Sequence, residues 1–331
     1  MQITRRRILG AALAAPVIGA MPKFASAARW PGDGPIRLVV ASGAGGNADV
    51  VARLVAEELE KTLEQSIVVE NLSSASGMQG TEAVSNADAD GYTLLVGTSS
   101  QLVHNIALFD PLPVDITRTL TGVAMMNEVP MVLLVNNDSP ANSVEELIAQ
   151  LKADPDAAQF GSGPAGTTTH ITGALFRSKL GLDVTHVPYP KSGEALRDLI
   201  AGRLTFQFIP ALSAIGQIRD GAVKPLGVAA PSRLGAAPDI PTISEAGLPG
   251  FVSQTWNSIA APTGTPAAIV TRLNDEVNAI VQSDAFKTKL TDLGSIVPGP
   301  MSPEEVNAYY AVQRDTWIPV VRDTGVRRST G

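Results

Sequence analysis

The chain has 331 residues, no cysteine and a formal net charge of −7, with 32 acidic against 25 basic residues. Without cysteine, the chain has neither disulfides nor thiolate nucleophiles or metal ligands. The acidic balance argues against nucleic acid as a partner, and the length predicts two medium-sized lobes with sizeable cores.

The first predicted element is an export signal over residues 1–27. Basic residues Arg5–Arg7 precede an apolar run, and Ala25-Ser26-Ala27 has the small-x-small pattern of a cleavage site. The Arg5-Arg6 pair resembles the twin-arginine variant, with an ordinary secretory signal as the alternative. The apolar run is shorter than the roughly 20 residues of a membrane-spanning helix. The sequence therefore predicts a periplasmic protein, whose mature form would carry 21 basic and 32 acidic residues.

The next stretch has the pattern of a strand, a tight turn and a helix. The β-branched run Ile36–Ala41 is followed by Gly43, Gly45 and Gly46, and then by apolar residues at helical spacing. Because glycine tolerates positive φ, these three residues predict a turn whose N–H groups point outward at the start of a helix. Such N–H groups are suited to an anion. Asp49 either caps this helix or orients a ligand.

Two alternative interpretations of this turn stay open at the level of residues. Many glycine-rich βα turns bind nothing. In addition, Gly43-x-Gly45-x-x-Ala48 satisfies the dinucleotide fingerprint, and Glu70 ends the next strand where a ribose-binding acid would lie.

Further short apolar runs, separated by helical or turn patterns, predict parallel strands with crossover helices. These runs are Ile67–Val69, Thr93–Gly97, Met131–Val135, Val184–Val187, Leu204–Ile209 and Leu226–Ala229. An extended stretch, Phe251–Ile259, is long enough to return to the first lobe. The sequence thus predicts two doubly wound, mostly parallel α/β lobes joined by two crossing strands. Residues 28–132 and 255–331 would form lobe I, and residues 133–254 would form lobe II.

A second glycine-rich segment repeats the pattern of the first in lobe II. Phe160-Gly-Ser-Gly-Pro-Ala-Gly166 leads into Thr167-Thr-Thr-His170 and a helix. If the lobes face each other, the starts of both helices direct N–H donors into one cleft. The small residues Gly97-Thr-Ser-Ser100 end the third strand and would lie on the same rim.

The titratable residues do not predict a metal site or a catalytic site. The three histidines, His104, His170 and His186, are far apart and lack i, i+4 pairing. His170 fits a ligand contact, a cap or a packing role equally well. Ser162 lies between glycines, but no base partner is identifiable and no Gly-x-Ser-x-Gly elbow occurs, so a hydrolase is not predicted. Tyr189 follows a proline, where an aromatic ring could wall a cleft or belong to the core.

Eight segments occur in order along the chain: Pro35-Ile-Arg-Leu-Val-Val40, Ala44-Gly-Gly-x-x-Asp49, Val68-Val-Glu-Asn71, Asp90-Gly-Tyr-Thr-Leu-Leu95, His186-Val-Pro-Tyr189, Asp239-Ile-Pro-Thr242, Glu245-Ala-Gly-Leu-Pro-Gly250 and Ala261-Pro-x-Gly-Thr-Pro266. With these segments, nearly the whole mature chain resembles the tripartite tricarboxylate transporter substrate-binding proteins, also called Bug receptors.

The resemblance implies a two-lobed periplasmic binding protein, not an enzyme, that needs no cofactor. It implies lobes that close on a small carboxylate and deliver it to the subunits of a membrane transporter; we expect a monomer. An NAD-dependent oxidoreductase is an alternative that the export signal argues against. A ligand sensor for a signalling partner is a second alternative, which the sequence leaves open.

The resemblance also implies a set of ligand-binding residues. In lobe I they are Ala44, Gly45, Gly46, Asp49 and Ser99, and in lobe II they are Ser162, Gly163, Gly166, Thr167, Thr168, His170, Tyr189 and Ile209. Relatives often carry Asp where this chain has Ile209, beside Phe206 and Phe208. We therefore expect a carboxylate without an amino group, with an apolar or aromatic body.

Overall fold

The structure is a computed structural model that describes residues 30–32 and 34–326, so the predicted export signal lies outside the described residues. The strands are β1 (Ile36–Val40), β2 (Ile67–Asn71), β3 (Thr93–Thr98), β4 (Leu120–Val135), β5 (Gln159–Ser162), β6 (Thr185–Pro188), β7 (Phe206–Pro210), β8 (Lys224–Val228) and β9 (Gln254–Pro262). No helix within the described ranges combines the length and the apolar character that a bilayer crossing needs.

The helices surround the strands and connect them. They are α1 (Asn47–Leu63), α2 (Met78–Ser85), α3 (Asn105–Leu108), α4 (Ile116–Thr119), α5 (Val144–Ala153), α6 (Thr168–Leu180), α7 (Ser192–Ile200), α8 (Ala211–Arg219), α9 (Ala267–Gln282), α10 (Asp284–Asp292) and α11 (Pro303–Asp323). Short 3-10 and π-helical turns occupy Ala75–Gly77 and Ser100–His104.

The strands follow the order β2-β1-β3-β9-β4-β7-β5-β6, with β8 paired to β4. The pairs among β1, β2 and β3 are parallel, and so are those of β5 with β6 and β7. Every pair that includes β4 or β9 is antiparallel. The sheets are therefore mixed, because each crossing strand runs back through a lobe whose other strands come from βαβ units.

The long strand β4 connects the two halves of the molecule. Residues 120–130 of β4 pair with β9, whereas residues 131–135 pair with β7 and β8. The chain returns at β9, whose first residue, Gln254, lies opposite Pro130. This exchange of partners supports the predicted division at residues 132/133 and 254/255, which stays a prediction. Below, lobe I denotes β1–β3, β9 and the first part of β4, and lobe II denotes β5–β8 and the end of β4.

The core of lobe II explains where the phenylalanines of β7 lie. Alternate residues of a strand face opposite sides of the sheet. Phe206 and Phe208 face a buried cluster in which Phe176 and Phe251 contact them edge-on or tilted, at centroid distances of 5.4–5.7 Å. Ile209 consequently faces the other side, toward lobe I.

Ser143 and Ser302 are the N-caps of α5 and α11, and they differ in their hydrogen bonds. Ser302 forms a complete capping box with Glu305. The Ser143 hydroxyl accepts the Glu146 N–H, whereas the Glu146 carboxylate accepts from Asn142 N–H instead of from Ser143 N–H.

Candidate functional site

A cleft of about 640 Å³ lies between the two lobes, a volume typical of a small-molecule site. Both glycine-rich segments reach it, because each precedes a helix that begins at the cleft. Of the predicted ligand-binding residues, those that line the cleft are Ala44, Gly45, Gly46, Thr167, Thr168 and Ile209. The other seven lie beside it and are placed below.

The turn before α1 presents the amino end of that helix to the cleft. Of the three glycines in this turn, Gly45 is the one with positive φ (74°), and Gly46 is the extended N-cap, with φ −78°. One left-handed residue is therefore enough to reverse the chain here. The side chain of Asn47 donates to Asn257 on β9 (Nδ2···Oδ1 3.2 Å), which fixes the start of α1 to a crossing strand.

Asp49 lies behind this turn and shapes it. Its carboxylate accepts the Gly45 N–H (2.8 Å), Arg53 Nε–H (3.0 Å) and Asn71 Nδ2–H (3.0 Å). Burial alone would raise the pKa of Asp49, but these hydrogen bonds and the charge of Arg53 hold the pKa below its ordinary value. With its acceptor sites engaged and only 4% of its surface exposed, Asp49 positions the loop and does not line the cleft.

The other loops at the carboxyl ends of β2 and β3 complete the lobe I side. Gln101, which the sequence analysis did not single out, lines the cleft and ties two of these loops together. Its Oε1 accepts the Thr98 N–H, and its Nε2–H donates to the Ser76 carbonyl, both at 3.0 Å. A glutamine three residues after a strand end was the available signal, since loops at that edge carry functional groups.

The segment before α6 contacts lobe I directly. The Ser76 hydroxyl donates to the Ala165 carbonyl (3.0 Å), and the Thr168 N–H donates to Ser100 Oγ (3.1 Å). The Thr168 hydroxyl also lies 2.9 Å from Ser99 Oγ. Ser99 is therefore a contact between the lobes and does not line the cleft.

Gly166 belongs to the same contact between lobes. It has φ 87°, and a Cβ placed on it would lie 2.2 Å from Cδ2 of Leu108 in lobe I. Its N–H donates to His170 Nδ1 (3.0 Å), and its carbonyl accepts a hydrogen bond from His104. Burial lowers the pKa of His104 to about 4, although the bond to Gly166 opposes that change. Gly166 thus holds the segment against lobe I, His170 holds Gly166 from within lobe II, and both lie outside the lining.

Ser162 has a histidine neighbour that the sequence did not reveal. His186 Nε2 lies 2.7 Å from Ser162 Oγ, and the Ser162 hydroxyl donates to the Gly163 carbonyl (2.7 Å). Burial, and secondarily the charge of Arg177, lower the pKa of His186 to about 4. Because the pair lies outside the cleft lining and the hydroxyl proton is engaged, it links β5 to β6 and does not form a nucleophilic site.

Gly163 and Tyr189 have structural contacts as well. The Gly163 N–H donates to Thr169 Oγ1 (3.0 Å), and a Cβ on Gly163 would lie 2.6 Å from Ser192 Oγ. The Tyr189 hydroxyl donates to Asp198 (2.7 Å). Neither residue lines the cleft, although the next residue after Tyr189, Pro190, does.

The lobe II wall is aliphatic and basic. Besides Ile209, its apolar lining residues include Leu196, Ile200 and Leu212, and no aromatic residue from the described part of the chain lines the cleft. The expectation of an aromatic ligand body therefore has no support here, because Phe206 and Phe208 face the opposite side of β7.

Two cations of this wall, Lys191 and Arg197, were missed by sequence reasoning. Both line the cleft, and the described residues contribute no Asp or Glu to its lining. Cations in a cleft whose lining contains no acid raise the local concentration of anions. The signal available was a lysine directly after Tyr189-Pro190, at the carboxyl end of a strand. Within the described ranges, no group of three His, Asp or Glu residues could hold a metal ion.

Residues 51–326 match the family described as Tripartite tricarboxylate transporter family receptor. The chain belongs to this family. Protein BugT of Bordetella pertussis is 33% identical to this receptor over 321 residues, which are 97% of this chain and 95% of BugT.

Solved structures agree with this assignment. The structure of R. palustris Rpa4515 with adipate has a TM-score of 0.85 at 33% identity and covers 89% of this receptor and 98% of Rpa4515. MatC (Rpa3494) from Rhodopseudomonas palustris with bound malate has a TM-score of 0.81 at 33% identity, covering 87% and 99%. The predicted family and the two-lobed α/β fold are confirmed. This chain is a solute-binding receptor and not an enzyme.

The alternative of an NAD-dependent oxidoreductase is therefore wrong. Glu70 has a different role in the structure. Its carboxylate accepts a hydrogen bond from Arg37 Nε–H on the neighbouring strand, at 2.6 Å. The acid that the fingerprint would assign to a ribose is engaged in a cross-strand ion pair.

Proposed function

We propose that this receptor captures a small carboxylate between its lobes in the periplasm and delivers it to a membrane transporter. The observation that supports this most is the convergence of α1 and α6, one from each lobe, whose amino ends line one cleft together with Lys191 and Arg197. Helix amino ends carry partial positive charge and orphan N–H donors. The related structures with adipate and malate support the same ligand class.

The proposed contacts come from the residues that line the cleft. The first-turn N–H groups after Gly46 would hold a carboxylate, with Thr167 and Thr168 opposite them at the amino end of α6. Ala44 and Gly45 would shape the wall, and Ile209 would contact the ligand body. The remaining predicted residues would not contact the ligand but would position these loops. They are Asp49, Ser99, Ser162, Gly163, Gly166, His170 and Tyr189.

Binding is tested by titration calorimetry of the mature protein against a panel of mono- and dicarboxylates. Each acid is paired with its amide, which keeps the shape and removes the charge. We expect at least one acid to bind with micromolar or tighter affinity while its amide does not. Equal binding of acid and amide, or binding of no acid in a broad panel, would contradict the proposal.

Location and processing are separate parts of the proposal. We propose that the chain is exported, cleaved after Ala27 and active as a monomer. N-terminal sequencing of the periplasmic protein should begin at or near Ala28, and light scattering should give the monomer mass. Replacing Arg5 and Arg6 by Lys should block export only if the twin-arginine route is used.

Delivery to a transporter is distinguished from sensing by the partner that the liganded receptor binds. We expect the carboxylate-loaded protein to retain integral membrane proteins of a transporter from solubilised membranes more strongly than the unliganded protein. Retention of a sensor protein alone would replace delivery by the signalling alternative.

A further inference from the structure

A chain of hydrogen-bonded side chains runs from the cleft through both crossing strands. Asn47, which lines the cleft, donates to Asn257 of β9 (Nδ2···Oδ1 3.2 Å). Asn257 donates in turn to Asn127 Oδ1 of β4 (2.7 Å), and Asn127 donates to Ser295 Oγ (3.0 Å). Below, the polar chain denotes these four residues.

The polar chain is buried along its whole length. Asn127 and Asn257 are completely buried, and Asn47 and Ser295 are 9% and 4% exposed. Buried amides cost free energy unless they are paired, and a network of paired groups fixes the elements that carry it. Among the described residues, Asn257 is the one hydrogen-bond partner of the Asn47 side chain. The start of α1 is therefore anchored to the crossing strands through this bond.

A β-bulge in β4 aligns the two strand residues of the polar chain. Met125 lies opposite Ser258 and Asn127 lies opposite Asn257, so β4 has one extra residue at this point. Bulges re-aim side chains and are frequent beside functional sites. Here the bulge places Asn127 level with Asn257, so that their amides meet.

The stability of the strands does not explain these two asparagines. Asparagine is depleted in strands, and an apolar pair in this core would avoid the desolvation of two amides. Neither Asn127 nor Asn257 lines the cleft. Their role is better assigned to the position of Asn47, whose backbone N–H is among the proposed carboxylate donors.

Ser295 is fixed to β4 at the other end of the polar chain. Glu128 and Ile296 exchange backbone hydrogen bonds (2.8 and 2.7 Å), which hold Ser295 beside Asn127. Ser295 lines a separate cavity of about 330 Å³ and does not line the cleft. Its hydroxyl can therefore act on the carboxylate site only through the residues that lie between them.

We propose that Asn127, Asn257 and Ser295 are positioning residues, which set carboxylate affinity through Asn47 without touching the ligand. N–H groups bind an anion well when they are already oriented toward it. Removal of one link leaves the Asn47 side chain without a fixed anchor, so the first turn of α1 is no longer held in the binding geometry. This inference rests on the proposed carboxylate site and adds the residues that hold it in place.

Titration calorimetry with adipate, with malate and with the tightest-binding acid of the panel above measures the effect on affinity. Asn127→Leu, which breaks the polar chain at its centre, should weaken binding about tenfold. Ser295→Ala removes only the last acceptor and should weaken binding about threefold. Ser295→Thr keeps the hydroxyl and should bind as tightly as the wild type. If Asn127→Leu does not fold, the comparison of Ser295→Ala with Ser295→Thr decides.

Asn274→Leu is the matched control, because Asn274 is a buried asparagine outside the polar chain. It donates to the carbonyls of Val123 and Met301, on a helix, α9, that itself packs against α1. The control should lose stability in urea unfolding and keep its affinity within about twofold. Equal affinity losses in Asn127→Leu and Asn274→Leu, or wild-type affinity in Ser295→Ala, would overturn the positioning role.

The position of Asn47 is also measured without a ligand. In nuclear magnetic resonance spectra of the unliganded protein, the backbone N–H resonance of Asn47 should shift in Ser295→Ala and stay in place in Ser295→Thr and Asn274→Leu. An unshifted resonance in Ser295→Ala would overturn the inference and leave the proposed function standing. If the wild type binds no carboxylate, the proposed function fails, and this resonance alone decides whether the polar chain positions α1.

Discussion

The two glycine-rich helix starts resemble each other in sequence and differ in what they contact. The turn before α1 is held from within its own lobe, by Asp49 and by the bond from Asn47 to Asn257. The segment before α6 is held from the other lobe, through Ser76, Ser100 and other side chains of lobe I. The turn before α1 is thus stabilised by contacts within lobe I, whereas the segment before α6 also needs contacts with the other lobe.

This difference separates ligand contact from closure. A loop fixed within one lobe keeps its geometry when the cleft opens, so its N–H groups are pre-organised for an anion. A loop whose hydrogen bonds cross the cleft must lose them on opening. We therefore expect changes in the second segment to act on affinity through the open–closed equilibrium, and changes in the first to act on the site itself.

The largest expected effect is that of Gly166→Ala. The added methyl group would overlap Leu108 across the lobe contact, and overpacking typically costs about 1–3 kcal/mol. We expect carboxylate affinity to fall roughly 100-fold. Small-angle X-ray scattering at saturating ligand should show a larger radius of gyration than for the wild type at equal saturation.

Gly181→Ala is the matched control for this change. Gly181 also has positive φ (64°), but no atom lies within 4 Å of its built Cβ. It should lose about 1 kcal/mol of stability through backbone strain and keep its affinity. Similar affinity losses in both variants would show that strain, and not the contact with Leu108, explains the effect of Gly166.

The next largest effect is expected for His104, which donates a hydrogen bond to the Gly166 carbonyl. The pKa of His104 in the folded protein is about 4, below the ordinary value of 6.5. Between pH 4 and pH 6.5, His104 is therefore protonated in the unfolded chain and neutral in the folded protein. The free energy of unfolding should therefore fall as the pH drops from about 6.5 to about 4. By pH 5 the part of this fall that is due to His104 should amount to about 2 kcal/mol.

Urea unfolding of the wild type and of His104→Gln at pH 7 and pH 5 measures this contribution. The variant should lose less stability between the two pH values, and the remaining loss includes that of half-buried His186, whose pKa is also lowered. The same difference between pH 7 and pH 5 in both proteins would mean that His104 does not titrate as its burial implies.

The fold was predictable where its signals are local. Strands such as β1 and β3 are short β-branched runs, and Ser302 with Glu305 is a local cap. The first eleven residues of β4 were missed, because Gly122, Asn127 and Pro130 disfavour a strand that pairing with distant β9 nevertheless stabilises.

The sequence predicted the location of the candidate site but not all of the residues that line it. The rule that ligands bind at the carboxyl ends of strands locates the loops. It does not say which donors face the cleft and which face the other lobe. That depends on contacts between distant segments, such as the hydrogen bond from Thr168 N–H to Ser100 Oγ, whose residues are 68 positions apart. Arg197 was missed for the same reason, since only the packing of α7 against the sheet brings it into the cleft lining.

Asp49→Asn tests the internally held turn. The amide removes a charge that accepts hydrogen bonds from Gly45, Arg53 and Asn71. We expect about tenfold weaker carboxylate binding together with lower stability, because the turn loses its organising acceptor. The contribution of Asp49 to stability is present above about pH 4 and is lost as the pH falls further, because folding lowers its pKa.

Asp183→Asn is the control for that change. The Asp183 side chain is fully exposed and pairs with Arg177 away from the cleft lining. Affinity and stability should stay within about 0.5 kcal/mol of the wild type. If Asp49→Asn also leaves affinity unchanged in calorimetry, the first turn is not held by this carboxylate.

The smallest effect is expected for Thr168→Val, which keeps the side-chain shape and removes one hydroxyl. That hydroxyl lies 2.9 Å from Ser99 Oγ and 3.2 Å from Ser100 Oγ, while the Thr168 N–H still reaches Ser100. Loss of these bonds between lobes should weaken carboxylate binding about fivefold, or about 1 kcal/mol. Thr172→Val, one turn along α6, removes a hydroxyl that contacts Ser253 (2.7 Å) instead of lobe I loops. It should lower stability by a similar amount with unchanged affinity, so that equal affinity losses in both variants would refute a closure role for Thr168.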